Sequence, residues 1–261
     1  MSLRFYQVDA FTSEVFQGNP AGVCPLESWL PDGLMQNIAM ENNLAETAFY
    51  VPTGDRFGIR WFTPAVEVDL CGHATLAAAY VIFRYDRYPE NEIALDSRSG
   101  ILRVRRDGDL LTLDFPVDTL RPAAEPAGLS EALGARPREI FRGKTDCLAV
   151  FGTQAEIEAM RPDFGKLGRV EARGVIVTAR GTEVDFISRF FGPQVGIDED
   201  PVTGSAHTSL APYWAEKLGK TEMEAVQLSR RGGRLKVRLR GDRVDISGRA
   251  RAYLEGRIEM E

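Results

Sequence analysis

The feature that most constrains this chain is that it repeats itself. Residues 60–69 read Arg-Trp-Phe-Thr-Pro-Ala-Val-Glu-Val-Asp, and residues 189–198 read Arg-Phe-Phe-Gly-Pro-Gln-Val-Gly-Ile-Asp. Seven of the ten positions are identical or closely similar at an offset of 129. Three residues are then inserted in the second copy, so Gly72-His73-Ala74 meets Gly204-Ser205-Ala206 at an offset of 132. Further on, Gly100-x-Leu102-x-Val104-Arg105-x-x-Gly108-Asp109 meets Gly233-x-Leu235-x-Val237-Arg238-x-x-Gly241-Asp242 at an offset of 133. Three matches in one order, drifting only by small insertions, indicate two homologous halves. A chain of 261 residues has the length for two such domains of about 100–150 residues each.

The join falls in residues 114–128, which carry Pro116, Pro122 and Pro126 and have neither a strand nor a helix period, as a linker would. The expected division is 1–117, which the C-terminal segment 248–261 could join, and 118–247. A duplication of this kind places two halves about a pseudo-twofold axis, with the cleft between them as the expected active site.

Within each half the patterning is α+β. Phe5–Phe11 alternates as a strand, Gly18-Asn19-Pro20-Ala21-Gly22 reads as a turn, and Asp32 is placed to cap a helix ending near Asn42-Asn43. Short strands follow at about 46–51 and 58–63. Residues 76–85 and 205–218 are each an apolar helix, and one that is apolar on nearly every face is buried. Pro212 lies inside the second and should kink it or delay its start. Hairpins close both halves, at Ile101–Arg106 with Leu110–Phe115 and at Leu235–Arg240 with Arg243–Ser247. The expected fold is two pseudo-symmetric domains, each a mostly antiparallel, curled sheet or barrel around a central α-helix.

Composition removes several function classes. Three cysteines, at 24, 71 and 147, are too scattered for a disulfide framework or a metal cluster. Two histidines in separate halves with no His-x-x-x-His spacing point to no metal site. A net charge of −6 argues against a nucleic-acid binder, and no run of about 18 apolar residues offers a membrane span. The first twenty residues lack the apolar core of a signal peptide, so a soluble, cytoplasmic protein is expected.

Several residues could carry chemistry. Gly72 and Gly204 open the two buried helices, with His73 and Ser205 on the first turn; unpaired amides there would hold a carboxylate. The alternative is that Gly-x-Ala merely allows close packing. Glu46 sits in Leu44-Ala45-Glu46-Thr47-Ala48-Phe49-Tyr50-Val51, where a buried carboxylate could take and return a proton, unless it begins a strand and faces water. His73 alone would as readily be a satisfied core histidine, and His207 is the weaker candidate. Asp200 could cap the second helix or act as a second acid/base. Cys71, just before Gly72, could be a thiol activated at a helix start or a small buried hydrophobe. The Ser229-Arg230-Arg231-Gly232-Gly233-Arg234 run reads as a solvated loop, with a place on the cleft rim open to it.

Gly18-Asn19-Pro20-Ala21, the Glu46 segment, Leu70-Cys71-Gly72-His73-Ala74-Thr75 and Glu199-Asp200-Pro201-Val202-Thr203-Gly204-Ser205-Ala206-His207 together resemble the PhzF family. These are phenazine-biosynthesis-like isomerases of the diaminopimelate epimerase superfamily. The resemblance spans essentially the whole chain and implies that superfamily's fold of two similar domains, with the active site between them. It implies a cofactor-free proton shift on a small carboxylate substrate such as trans-2,3-dihydro-3-hydroxyanthranilate. By motif, Glu46 matches the catalytic glutamate, and His73, Asp200 and Ser205 match the polar residues that hold or polarise the substrate. Asn19, Cys71, Gly72 and Gly204 would line its binding site. A homodimer is also implied. The chain further resembles epimerases that use one thiol from each half, but only Cys71 fits; the second position falls on Thr203, which is no comparable base. An amino-acid epimerase built on Cys71 and a non-catalytic carboxylate-binding protein are the competing readings.

Overall fold

The computed structural model describes residues 2–260. The chain forms two compact units, Met1–Asp114 with Ser247–Glu261, and Phe115–Ile246. Among the described residues no helix is long and apolar enough to cross a membrane.

The first unit runs β1 (Ser2–Ala10), β2 (Asn19–Pro25), α1 (Asp32–Asn42), β3 (Glu46–Thr53), β4 (Arg56–Phe62), β5 (Glu67–Val68), α2 (Gly72–Arg84), β6 (Glu92–Ser97), β7 (Gly100–Asp107) and β8 (Leu110–Pro116), the last leading into the second unit. The C-terminal strand Ala250–Glu259 returns and pairs antiparallel with β1. From there the sheet continues through β2 (antiparallel to β1), β3 (parallel to β2), β4 (antiparallel), β6 (parallel), β7 and β8 (both antiparallel). The helix α2 packs on β1, β2, β3 and the C-terminal strand. Its Ala74, Leu76, Ala77, Ala78, Ala79, Val81 and Ile82 have no exposed surface, which is why its sequence is apolar on nearly every face. Each large aliphatic side chain among them contributes about 1.5–3 kcal/mol by burial. A second apolar layer, Met35, Ile38 and Ala39 of α1 with Phe49, Val51 and Phe62, covers the other side of β3 and β4.

The second unit runs β9 (Arg121–Pro122), α3 (Leu129–Leu133), β10 (Glu139–Arg142), β11 (Cys147–Val150), α4 (Gln154–Ala159), α5 (Phe164–Leu167), β12 (Val175–Arg180), β13 (Phe186–Gly192), β14 (Ile197–Asp200), α6 (Ala206–Leu218), β15 (Glu222–Gln227), β16 (Gly233–Arg240) and β17 (Arg243–Gly248); the C-terminal strand is then β18. Its pairings reproduce the first unit's series: β11 parallel to β12, β12 antiparallel to β13, β13 parallel to β15, and β15 antiparallel to β16. The helices α2 and α6 hold the same place in the two series, each following a short strand and preceding the parallel crossover. The duplication read from the sequence is therefore a duplication of topology.

The repeated Arg-x-Phe has a structural reason. Arg60 on β4 places Nε and Nη2 each 2.7 Å from the Glu67 carboxylate and lies over the Phe62 ring. Arg189 on β13 grips Glu199 the same way, at 2.7 and 3.0 Å, over Phe191. A planar guanidinium suits such bidentate, ring-stacked pairing. These pairs also correct the placement of the insertion. Glu67 and Glu199 are counterparts at offset 132, so the three extra residues precede the glutamate, within the segment 192–198 that carries the 3-10 turn Pro193–Val195.

Other local expectations need correction. The Gly18–Gly22 segment is not a turn throughout: Gly18 turns at φ +67, and Asn19 already begins β2. Asp32 does not cap α1; Pro31 holds the N-cap position, and Asp32 pairs with Arg60 at 2.8 Å. Residues 114–128 are not a free linker, since β8 reaches Pro116, β9 pairs with β10, and Asp118 binds α6. That last contact explains how α6 runs through Pro212. A proline N–H is missing, so the Thr208 carbonyl lacks its helical donor, and the Asp118 amide supplies one at 3.2 Å.

Candidate active site

In the first unit, parallel pairing of β2 with β3 sets Ala21 opposite Glu46, so Asn19 and Glu46 emerge from the starts of adjacent strands. The chain then enters α2 through Cys71, which is extended (φ −144, ψ 113) and makes no side-chain cap. Its carbonyl accepts the Thr75 amide and hydroxyl instead, which fixes the first turn. His73 projects from that turn, 6% exposed. Its Nδ1 is 3.2 Å from Asn19 Nδ2 and 3.5 Å from Cys71 Sγ, and its Nε2 is 3.2 Å from Glu46 Oε2. Burial pulls the imidazole down to about 3, so His73 is neutral at physiological pH. The Glu46 contact is therefore one between a carboxylate and a neutral ring, within reach but off the axis of a formed hydrogen bond. The Glu46 carboxylate is largely enclosed, with 13% of its side chain exposed, so it does not simply face water.

One ligand atom from each of Glu46, Cys71 and His73 lies within 4.8 Å of the others. That gathering was not legible as metal-ligand spacing, because the three residues come from two distant segments. It offers three donors, one short of a closed tetrahedral structural site.

In the second unit the repeated motif is built differently. Gly204 and Ser205 precede α6, which starts at Ala206, and Ser205 holds the N-cap position without a side-chain cap. The carbonyls of Gly204 and Ser205 accept the amides of His207 and Thr208, tight i to i+3 bonds that replace a regular first turn. Ser205, not Asp200, holds the N-cap position of α6. Asp200 lies upstream of it. It ends β14, is 9% exposed, and accepts the Thr203 hydroxyl at 2.5 Å. Gln227, fully buried on β15, holds this loop with three bonds: its Nε2 donates to the Asp200 carbonyl and Thr203 Oγ1, and its Oε1 accepts the Thr203 amide. Sequence reading passed over Gln227, which is 24 residues from Thr203 in a strand of ordinary pattern. Ser229 of the arginine-rich run donates to the Pro201 carbonyl, so that loop is pinned to the Asp200 segment. His207 is a core residue; its Nδ1 is 2.9 Å from the Thr203 carbonyl and its ring lies against Phe186.

The model of the phenazine biosynthesis-like proteins, PhzC-PhzF, matches residues 8–256. The chain belongs to the PhzF family. This PhzF member is 52% identical over 260 residues to an uncharacterised isomerase of Pseudomonas aeruginosa, covering all of both chains. It is 43% identical to the phenazine biosynthesis-like domain-containing protein 2 of Mus musculus over 99% of each. The crystal structure of a PhzF-family phenazine biosynthesis protein from Enterococcus faecalis superposes with a TM-score of 0.97 at 45% identity, covering both chains fully. A hydroxyproline epimerase from Agrobacterium vitis, at 12% identity and TM-score 0.63, shares the fold.

Proposed function

We propose that this PhzF-family isomerase shifts a proton on a small carboxylate-bearing substrate, with Glu46 as the general acid/base and no cofactor. The observation that carries the reading is the enclosed Glu46 carboxylate beside a neutral imidazole. A carboxylate held out of water can take a proton from carbon and return it nearby, provided the neighbouring group stays uncharged and does not hold it permanently ionised. His73, Asp200 and Ser205 are assigned to holding and polarising the substrate, and Asn19, Cys71, Gly72 and Gly204 to lining its site. The first amides of α2, beginning at Gly72, would receive its carboxylate. Positioned proton transfer of this kind contributes about 10²–10⁴-fold, with orientation of the substrate supplying the rest.

The substrate to try first is trans-2,3-dihydro-3-hydroxyanthranilate, followed by proton NMR in D₂O. Isomerisation with deuterium entering the ring, lost in a folded Glu46→Gln protein, is the expected result. A fully active Glu46→Gln protein refutes the assignment. An unchanged substrate redirects the search to other small carboxylates, beginning with amino acids, where loss of activity in Cys71→Ala would favour an epimerase that uses the thiol.

A further inference from the structure

Three polar groups crowd the two ring nitrogens of His73, and the chemistry of each fixes a direction. Asn19 presents Nδ2 to Nδ1 at 3.2 Å, and an amide nitrogen can only donate. Nδ1 must then accept. The Cys71 thiol, 3.5 Å from the same nitrogen, is a second donor to it. With Nδ1 accepting, a neutral imidazole carries its proton on Nε2, the nitrogen that faces Glu46 Oε2 at 3.2 Å. We infer that Cys71 is a positioning residue: with Asn19 it holds His73 as the Nε2–H tautomer, so that the ring donates to the Glu46 carboxylate and keeps it in the orientation and form that accepts a proton. The direction runs thiol to imidazole to carboxylate. Nε2 approaches Glu46 Oε2 off the axis of a formed hydrogen bond, and on this inference substrate brings the two into line.

This deepens the assignment of Glu46 as acid/base, yet its central claim can be read without any substrate. The protein contains only two histidines. The other, His207, directs Nδ1 at the Thr203 carbonyl, which can only accept, so it must be the Nδ1–H tautomer. Its Nε2 is buried with no hydrogen-bond partner among the described residues. One protein thus holds its two rings in opposite tautomers, and each is the internal reference for the other.

The test is nitrogen NMR of the whole protein labelled with ¹⁵N in the histidine rings, near neutral pH. Expected are two neutral rings of opposite tautomer, His73 protonated on Nε2 and His207 on Nδ1, assigned with His207→Phe. In Cys71→Ala the His73 ring should shift toward exchange between tautomers, and Cys71→Ser, which keeps a donor to Nδ1, should restore it. A wild-type His73 protonated on Nδ1, as an Asn19 amide turned to present its oxygen would require, overturns the inference. Turnover gives a second reading: Cys71→Ala should lower kcat by about three- to tenfold, the worth of one hydrogen bond, and Cys71→Ser should recover most of it. Equal loss in Ala and Ser variants also overturns it. Should Glu46→Gln keep its activity, the assignment of function fails while the tautomer measurement still decides this inference.

Discussion

Gly18 and Gly54 offer a controlled comparison, because both turn with nearly the same positive φ, +67 and +69, in very different surroundings. A Cβ on Gly54 would meet nothing within 4 Å, whereas a Cβ on Gly18 would lie 2.1 Å from the Ala10 carbonyl oxygen and 2.8 Å from Thr12 Cγ2. Gly54→Ala therefore suffers only the left-handed backbone cost, about 1 kcal/mol. Gly18→Ala adds a clash with backbone that cannot rotate away, comparable to overpacking a core at about 1–3 kcal/mol, for a total of about 2–4 kcal/mol. The shift would also carry Asn19, the next residue and the partner of His73. Urea unfolding followed by hydrogen exchange on peptides from residues 1–114 measures both variants within one unit. Gly18→Ala should be the less stable by at least about 1 kcal/mol, and it alone should lose isomerase activity while folded. Equal destabilisation of the two would show that backbone conformation, not the close approach to β1, is what the glycine serves.

Gln227→Ala should destabilise the second unit by about 3 kcal/mol or more in urea, because it leaves the Thr203 amide and the Asp200 carbonyl without their buried partner; a loss below about 1 kcal/mol would mean that water replaces it. The two histidines make stability fall with acid. Burial holds His73 to about 3 and His207 to about 4 in the folded chain, against about 6.5 unfolded. The unfolded state binds the extra protons in between, so this stability is whole above about pH 6.5 and is lost as the pH falls toward 4. Calorimetry near pH 5.5 should record about two protons taken up on unfolding, and an uptake below one would contradict the burial of both rings. Zinc should inhibit reversibly, with a chelator restoring activity, because Glu46, Cys71 and His73 bring ligand atoms within 4.8 Å. Cys71→Ser should weaken that inhibition by about tenfold or more, since the soft thiolate is the strongest of the three donors.

Much of this architecture is legible in the sequence, because a duplication writes each structural rule twice. The Gly-Asp hairpins and the apolar α2 stand out by period alone, and the repeated Arg-x-Phe announces a shared element even before its bidentate glutamate is seen. What stays hidden depends on contacts distant in sequence. Gln227 looks like any strand glutamine until Thr203 lies beside it. Asp118 looks like part of a proline-rich linker until the carbonyl freed by Pro212 needs a donor. At the candidate site, types and motifs single out Glu46, Cys71 and His73, but periodicity cannot tell that parallel pairing of β2 and β3 brings Asn19 and Glu46 to the same ring.

The pairing of β1 with β18 bears on how the chain is made. The strand β1 lies between β2 and β18, so it remains an open sheet edge until residues 250–259 are synthesised. The second unit is continuous in sequence, from Phe115 to Ile246. During translation, then, the later-encoded half can close first, while the half carrying Glu46 and His73 waits with an unpaired edge that invites aggregation. A truncation that removes only β18 would leave Glu46, Cys71 and His73 present and still leave the sheet that positions them unfinished.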